Sequence, residues 1–366
     1  MVRFTVLASG SKGNSTVVSG GRTRILVDCG LSCRELFRRM RLMDEKPETL
    51  DAIIITHEHS DHVGGLAATA RKLGIPVYFT EGTHRAWMRW LTPQRHMTQA
   101  QWLEQYRKRA AEREAEAIQD EGEPDDPEAE MGLDGAESGR DSDGSREKRT
   151  SGAEALPDSI GVIDGDKSSV CQTESAVDQA ECASLDGSEA VPSRKEDPTW
   201  LPALEYFKAG EAFEIGDIAV SPFTIPHDAA DPVGFVFRAE GVRMGFATDL
   251  GYIPPNVRAQ LQGVDLLLLE SNHDLEMLRD GPYPWAVKQR VLSRVGHLSN
   301  EAAAGFLEDG YDGQAAYVIL AHLSENNNLP ELARVAAENA LVGRASLLAN
   351  RLLLASQHEP LSAINF

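Results

Sequence analysis

The sequence predicts an α/β sandwich in which two β-sheets face each other and helices cover the outside. Three observations predict it. Short runs dominated by Val, Ile and Phe, bounded by turn residues, recur on both sides of a long acidic stretch. Helical periodicity follows the loops that carry polar clusters. Strands outnumber helices early in each half, so each half reads as a sheet followed by its covering helices.

In the first half the strand-like runs are 3–9, 15–20, 24–29, 52–56 and 76–80; in the second they are 217–225, 234–240, 242–248, 265–270 and 316–322. The runs RTRILVDCG and GVRMGFATD each follow a glycine-containing turn and read as second strands of hairpins. Residues 33–43, 64–74, 299–310 and 329–341 carry helical periodicity, and no solenoid-type repeat is present. Residues 97–117 combine good helix formers with mixed charge and predict a helix that frays into the acidic stretch.

That acidic stretch is compositionally separate. Between Glu112 and Asp197 there are 26 acidic and 8 basic residues, while the rest of the 366-residue chain holds 31 acids and 28 bases. The overall charge of −21 therefore does not argue against an anionic substrate, because the remainder is close to neutral. Residues 118–197 are rich in Glu, Asp, Ser and Gly and nearly free of aromatics, so they are expected to be a disordered insertion. Residues 1–117 and 198–366 then form one domain. The insertion reads as a solvated loop, with an acidic tail for a partner protein as the functional alternative. Deleting 118–197 is expected to leave thermal unfolding cooperative and its midpoint little changed; loss of cooperativity in calorimetry would contradict this. Cys171 and Cys182 lie in this stretch without a metal-binding pattern. Four cysteines are too few for a disulfide framework. The opening MVRFTVLASGSKGN lacks an apolar core behind a basic leader, and no run approaches the length of a membrane span. A cytoplasmic protein without membrane contact is the expectation.

The strongest chemical signal is ITHEHSDHVGGL at 55–66. His57, His59, Asp61 and His62 fall within six residues, directly after a buried strand. Residues two apart at a strand end face the same way, so His57 and His59 aim at one point, and Asp61 and His62 turn onto a neighbouring one. Imidazole nitrogen and carboxylate oxygen suit zinc or another borderline divalent cation. Two further loops are open to two readings each. Ser9, Ser11 and Asn14, with Lys12 among them, can approach phosphate through a small flexible turn, or simply make a tight turn. Glu270, Asn272, His273 and Asp274 follow the strand DLLLLE; the carboxylate can orient a ligand imidazole, and Asn272 or His273 can bind substrate phosphate.

The H-x-H-x-D-H-x-G-G-L run resembles the signature of metallo-β-lactamase-fold hydrolases. The resemblance covers the chain apart from the insertion and implies a four-layer αββα sandwich. It also implies three later ligands, each just after a strand, and His227, Asp249 and His322 stand in such places. Asp228, beside His227, is an alternative. Carried over, the resemblance implies one metal on His57, His59 and His227, a second on Asp61, His62 and His322, and Asp249 bridging them. The metals are zinc or manganese, and a bridging hydroxide is the nucleophile. His297, in RVGHLSN, resembles the histidine that phosphodiesterases of this fold place over the scissile phosphate, where it protonates the departing oxygen. Asp28 resembles the aspartate that buttresses the histidine loop, and Cys29 reads as packing.

Longer motifs narrow the match. FTVLASGSKGN, THEHSDH, PHDAADPVGF, TDLG, ESNHD, GHLSN and LAHLSENN together resemble the YycJ/WalJ-like bacterial subgroup. That resemblance implies a metal-dependent exonuclease running 5′ to 3′ on double-stranded DNA, with RNA the less favoured nucleic acid. A ribonuclease, a cyclic-phosphodiester hydrolase or a thioesterase on the same scaffold are the rival enzymes, and a non-enzymatic partner-binding protein is the remaining alternative. Arg34, Arg38, Arg39 and Arg41 cluster in one predicted helix, as backbone-phosphate contacts or as a solvated face.

Overall fold

The computed structural model describes residues 1–92, 107–108, 197–342 and 351–366. In chain order the strands are β1 (Arg3–Ala8), β2 (Ser15–Ser19), β3 (Arg24–Val27), β4 (Ala52–Ile54), β5 (Pro76–Phe79), β6 (Ala203–Tyr206), β7 (Phe213–Ile215), β8 (Ile218–Thr224), β9 (Val233–Ala239), β10 (Val242–Ala247), β11 (Leu266–Glu270), β12 (Tyr317–Ala321), β13 (Arg351–Leu354) and β14 (Ile364–Asn365). They form two seven-stranded sheets, ordered β14-β1-β2-β3-β4-β5-β6 and β13-β12-β11-β10-β9-β8-β7. All strands lie in the compact unit made of Met1–Arg95 and Val191–Phe366. Both predicted hairpins form: β2 pairs antiparallel with β3, and β9 with β10.

Strand alternation builds the layers. Val6, Val18, Ile25 and Ile54 from one sheet meet Phe235, Phe237, Leu268 and Ile319 from the other in a shared core. The intervening residues point outward. Leu7, Leu26, Ile53 and Val77 pack against Leu36, Phe37 and Met40 of the helix Cys33–Leu42 and Trp87 of the helix Glu81–Leu91. Leu267, Leu269, Val318 and Leu320 pack against Leu307 and, from the helix Pro330–Leu341, Ala333 and Ala337. Runs such as Leu266–Leu269 are apolar without a break because both faces are covered. This is the αββα order predicted.

The 64–74 segment forms its helix at Leu66–Leu73, preceded by a single helical turn at Ser60–Val63, and Gly65 between them packs so tightly that a Cβ there would stand 1.9 Å from the Leu31 carbonyl oxygen. One helix differs from expectation. The 299–310 segment is helical over Asn300–Gly305 and ends in a wider turn through Gly310. The acidic stretch 118–196, with Cys171 and Cys182, lies outside the described residues, as does the predicted 97–117 helix except for Arg107 and Lys108, which are helical.

Strand direction positions the site. β3, β4 and β5 are parallel, and β1 runs with them because two antiparallel pairings separate it from β3. β10, β11 and β12 are parallel, and β8 runs with them for the same reason. The loops after β1, β3 and β4 thus leave one edge of the first sheet, and those after β8, β10, β11 and β12 one edge of the second. Loops at the carboxyl ends of co-directional strands are where α/β folds place their chemistry.

Candidate metal centre

Every predicted ligand stands on one of these loops. Three strand-end residues, Asp28 (φ 58°), Asp249 (φ 61°) and His322 (φ 56°), adopt the left-handed conformation, which costs a non-glycine residue about 1 kcal/mol or more. The sharp turn redirects each side chain off its strand.

The seven residues converge. His57, His59 and His227 offer ligand atoms within 4.8 Å of one another; so do Asp61, His62 and His322, and so do His57, His62 and Asp249. A fourth group joins Asp249 and His322 to Glu270 and His297. Asp249 therefore stands between the two triads. His227 Nε2 lies 3.2 Å from His59 Nδ1, His62 Nε2 lies 3.4 Å from Asp249 Oδ2, and His322 Nε2 lies 3.5 Å from Asp61 Oδ2. Asp228 pairs through Oδ2 with Arg290, while its Oδ1 lies 3.4 Å from His227 Nε2, at the edge of the first triad.

Surrounding groups fix which imidazole nitrogen faces inward. His62 donates from Nδ1 to Asp28 Oδ2 at 2.8 Å, and Asp28 Oδ1 accepts the Thr56 N–H at 2.9 Å. His227 donates from Nδ1 to the Gly296 carbonyl at 3.1 Å, and His322 from Nδ1 to Glu270 Oε1 at 3.0 Å. Thr56 Oγ1 contacts His57 Nδ1 at 3.0 Å. In all four rings Nδ1 is held and Nε2 remains on the side of the centre, as carboxylate–histidine–metal arrangements require, with Asn14 Nδ2 also 3.0 Å from His62 Nε2. His57 Nε2 and Asp249 Oδ2 are buried without a hydrogen-bond partner among the described residues. A divalent cation fits such a donor set, because orphaned buried polar atoms are otherwise costly. Gly30 completes the packing: a Cβ there would fall 1.7 Å from the Asp61 carbonyl oxygen.

The two halves hold protons differently. Burial and the nearby His62 keep His57 well below the ordinary imidazole range, and burial lowers His227. Burial also opposes charge on His62 and His322, but Asp249, Asp61 and Asp28 raise His62 well above 6.5, and Asp249, Asp61 and Glu270 do the same for His322. A raised folded-state pKa gives stability that is full below about 6.5 and lost as pH rises through the raised value. Chelator-stripped protein is therefore expected to melt at lower temperature as pH increases above 6.5. Metal affinity should rise over the same range, because binding expels the protons of His62 and His322. Scanning calorimetry and metal titration across pH check this; a flat melting profile would contradict it.

Above the triads lies a cleft of about 340 Å³ lined by Ser11, His59, Ser60, Asp61, Asp249, Arg290, His297 and His322. His297 donates from Nδ1 to Glu270 Oε1 at 2.8 Å, so Glu270 steadies both His297 and His322. Glu270 Oε2 accepts the Leu250 N–H at 2.8 Å, and His297 and His322 hold its carboxyl low against the effect of burial. Of the five residues read as substrate contacts, Ser11 lines this cleft. The other four are turned elsewhere. Ser9 Oγ accepts the His322 N–H, Asn14 Nδ2 bonds Asp61 Oδ2 at 3.1 Å, and Asn272 Nδ2 bonds the His322 carbonyl at 2.8 Å. His273 is 1% exposed, and burial lowers its imidazole to about 4. Sequence reasoning gave no role to Thr56 or Arg290; the run THEHSDH contained a signal for the first, and nothing local marked the second.

Comparison with known proteins agrees with this fold. Residues 8–142 match the metallo-beta-lactamase superfamily and residues 182–323 a beta-lactamase superfamily domain. The chain is 28% identical over 340 residues to exodeoxyribonuclease YycJ of Bacillus anthracis, covering 93% of this chain and 89% of that protein. It is 27% identical over 339 residues to exodeoxyribonuclease WalJ of Streptococcus pneumoniae, covering 93% and 88%. Among solved structures, the metallo-beta-lactamase fold protein YhfI of Bacillus subtilis aligns with a TM-score of 0.53 at 12% identity over 98% of both chains. PqqB of Methylobacterium extorquens aligns with a TM-score of 0.51 at 13% identity over 98% of this chain and 99% of its own. No described helix is long and apolar enough to cross a membrane. Two facing sheets, ligand loops at their strand ends and near full-length similarity to YycJ and WalJ lead to one assignment: the chain belongs to the metallo-beta-lactamase superfamily, as a metal-dependent hydrolase of the YycJ/WalJ-like subgroup.

Proposed function

We propose that the chain is a two-metal phosphodiesterase that degrades double-stranded DNA from 5′ ends, with 1–117 and 198–366 as its catalytic domain. The observation that supports it most is the pair of triads joined by Asp249, which groups with His57 of one and His62 of the other, at the floor of a cleft that also presents His297. The near full-length relatives named exodeoxyribonucleases direct the reading to DNA. His57, His59 and His227 would hold one cation, Asp61, His62 and His322 the other, and Asp249 both. Zinc or manganese suits these donors. When bound, such a pair supplies Lewis acidity toward phosphoryl oxygens and a water acidic enough to attack at neutral pH.

The chain's own residues do the rest. Asp28, Thr56, Glu270 and the Gly296 carbonyl keep the imidazoles in one tautomer. Asn14 holds Asp61 from the side. His297, with Nδ1 held by Glu270, presents Nε2 to the cleft as the donor for the departing oxygen. Incubation with end-labelled duplex DNA, single-stranded DNA and RNA, with manganese or zinc, tests the reading. Mononucleotide release from the 5′ ends of the duplex is expected; cleavage of RNA alone, or of a thioester in place of any phosphodiester, refutes it.

A further inference from the structure

Residues 281–296, GPYPWAVKQRVLSRVG, reach the cleft through Arg290 and contain Lys288, Arg290 and Arg294 without one acidic residue, whereas the chain outside the acidic stretch holds 31 acids and 28 bases. The same stretch exposes large apolar side chains: Trp285 is 67% exposed, Leu292 50% and Val295 44%. An exposed tryptophan among cations is not what a solvated surface alone asks for.

The segment is also fixed to the ligand loops. The Asp228 N–H donates to the Val295 carbonyl at 3.0 Å, His227 donates to the Gly296 carbonyl at 3.1 Å, and the His297 N–H donates to the Val291 carbonyl at 3.0 Å. Gly251, two residues after Asp249, lies so close that a Cβ on it would stand 2.4 Å from the Arg294 backbone. Three loops that carry His227, Asp249 and His297 thus hold the segment's backbone. Its cations are steadied in turn: Lys288 Nζ bonds the Arg279 carbonyl at 2.7 Å, Arg294 lies 4.4 Å over the Tyr252 ring, and Arg290 pairs with Asp228 at the cleft.

We propose that residues 281–296 form the surface on which the DNA strand lies as it enters the cleft. Lys288 and Arg294 contact backbone phosphates, and Trp285 offers a face for a base. The occupant is argued from charge and continuity. A polyanion complements Lys288 and Arg294, which no acid within the segment neutralises, and Arg290, already paired with Asp228, is shared between the segment and the cleft where the scissile phosphate is placed. Phosphate contacts of this kind fix the strand's path without reading its sequence, and aromatic stacking is likewise tolerant of sequence. The inference rests on the nuclease reading.

The test uses the full chain and two substrates, duplex DNA and bis(p-nitrophenyl) phosphate, which is too small to reach beyond the cleft. Lys288→Ala/Arg294→Ala is expected to raise KM for DNA roughly tenfold. It should also flatten the dependence of log affinity on log salt by about 1.8, the share of two phosphate contacts. Turnover of the small diester should stay within about twofold. Trp285→Ala is expected to weaken DNA binding roughly fivefold or more, as loss of one stack does, and Trp285→Phe to restore most of it. Equal losses on both substrates would mean a disturbed metal centre and would overturn the inference. So would a wild type that degrades DNA while the double variant keeps its KM and salt slope, which would leave the apolar residues to a protein partner. A wild type that hydrolyses the small diester but no polynucleotide sinks the nuclease reading and this inference together.

Discussion

Asp61→Ala is expected to lower phosphodiester hydrolysis by about a thousandfold or more while leaving the fold intact. Asp61 Oδ2 stands 3.4 Å from His62 Nε2 and 3.5 Å from His322 Nε2, so it is the anion of its triad. Without it two imidazoles remain, and both already carry raised pKa values that oppose metal binding. One cation of a two-metal site contributes several kcal/mol to charge stabilisation in the transition state, which corresponds to a loss of that size. The fold should survive because the contacts that build the loop do not use this carboxylate. The Asn14 N–H donates to the Asp61 carbonyl at 2.7 Å, and the His62–Asp28 bond is untouched. Metal analysis should find about one equivalent lost per chain, with the circular dichroism spectrum unchanged. Retained turnover would remove Asp61 from the centre; a lost spectrum would assign it a structural role instead.

How much of the fold and the site was legible in the sequence depended on how local the signal was. His57, His59, Asp61 and His62 declared themselves because their spacing at a strand end is itself the geometry. His227, Asp249 and His322 are single residues after strands and acquired meaning only through a resemblance to a family. The layering was legible in runs such as Leu266–Leu269, since continuous apolarity means two covered faces. The sheet edges were not. β6, β7, β13 and β14 are two to four residues long, too short for a pattern, and pairing with a neighbour defines them. Asn14 shows the same limit at the site. The sequence offered a turn residue; the structure aims its carboxamide at a carboxylate 47 positions away. Arg290 reaches the cleft from the helix Trp285–Val291, and nothing in its neighbours in sequence announces that.

His297→Ala is expected to reduce kcat on DNA by about a hundred- to ten-thousandfold, the range of a lost general acid, without changing metal content. His297 is not in either ligand triad, but it shares Glu270 with His322, and its side chain is 21% exposed at the cleft. That separation makes the role testable through the leaving group. A deoxynucleoside 3′-oxygen departs as a strong base and needs a proton; p-nitrophenolate does not. The variant's deficit should therefore shrink sharply on bis(p-nitrophenyl) phosphate. Glu270→Gln supplies the contrast. It removes the acceptor of both His297 and His322, so it should lower activity on both substrates and weaken metal binding as well. If His297→Ala loses as much on the nitrophenyl ester as on DNA, the imidazole positions the site and does not deliver the proton. Protonation of the departing oxygen would then belong to another group in the cleft.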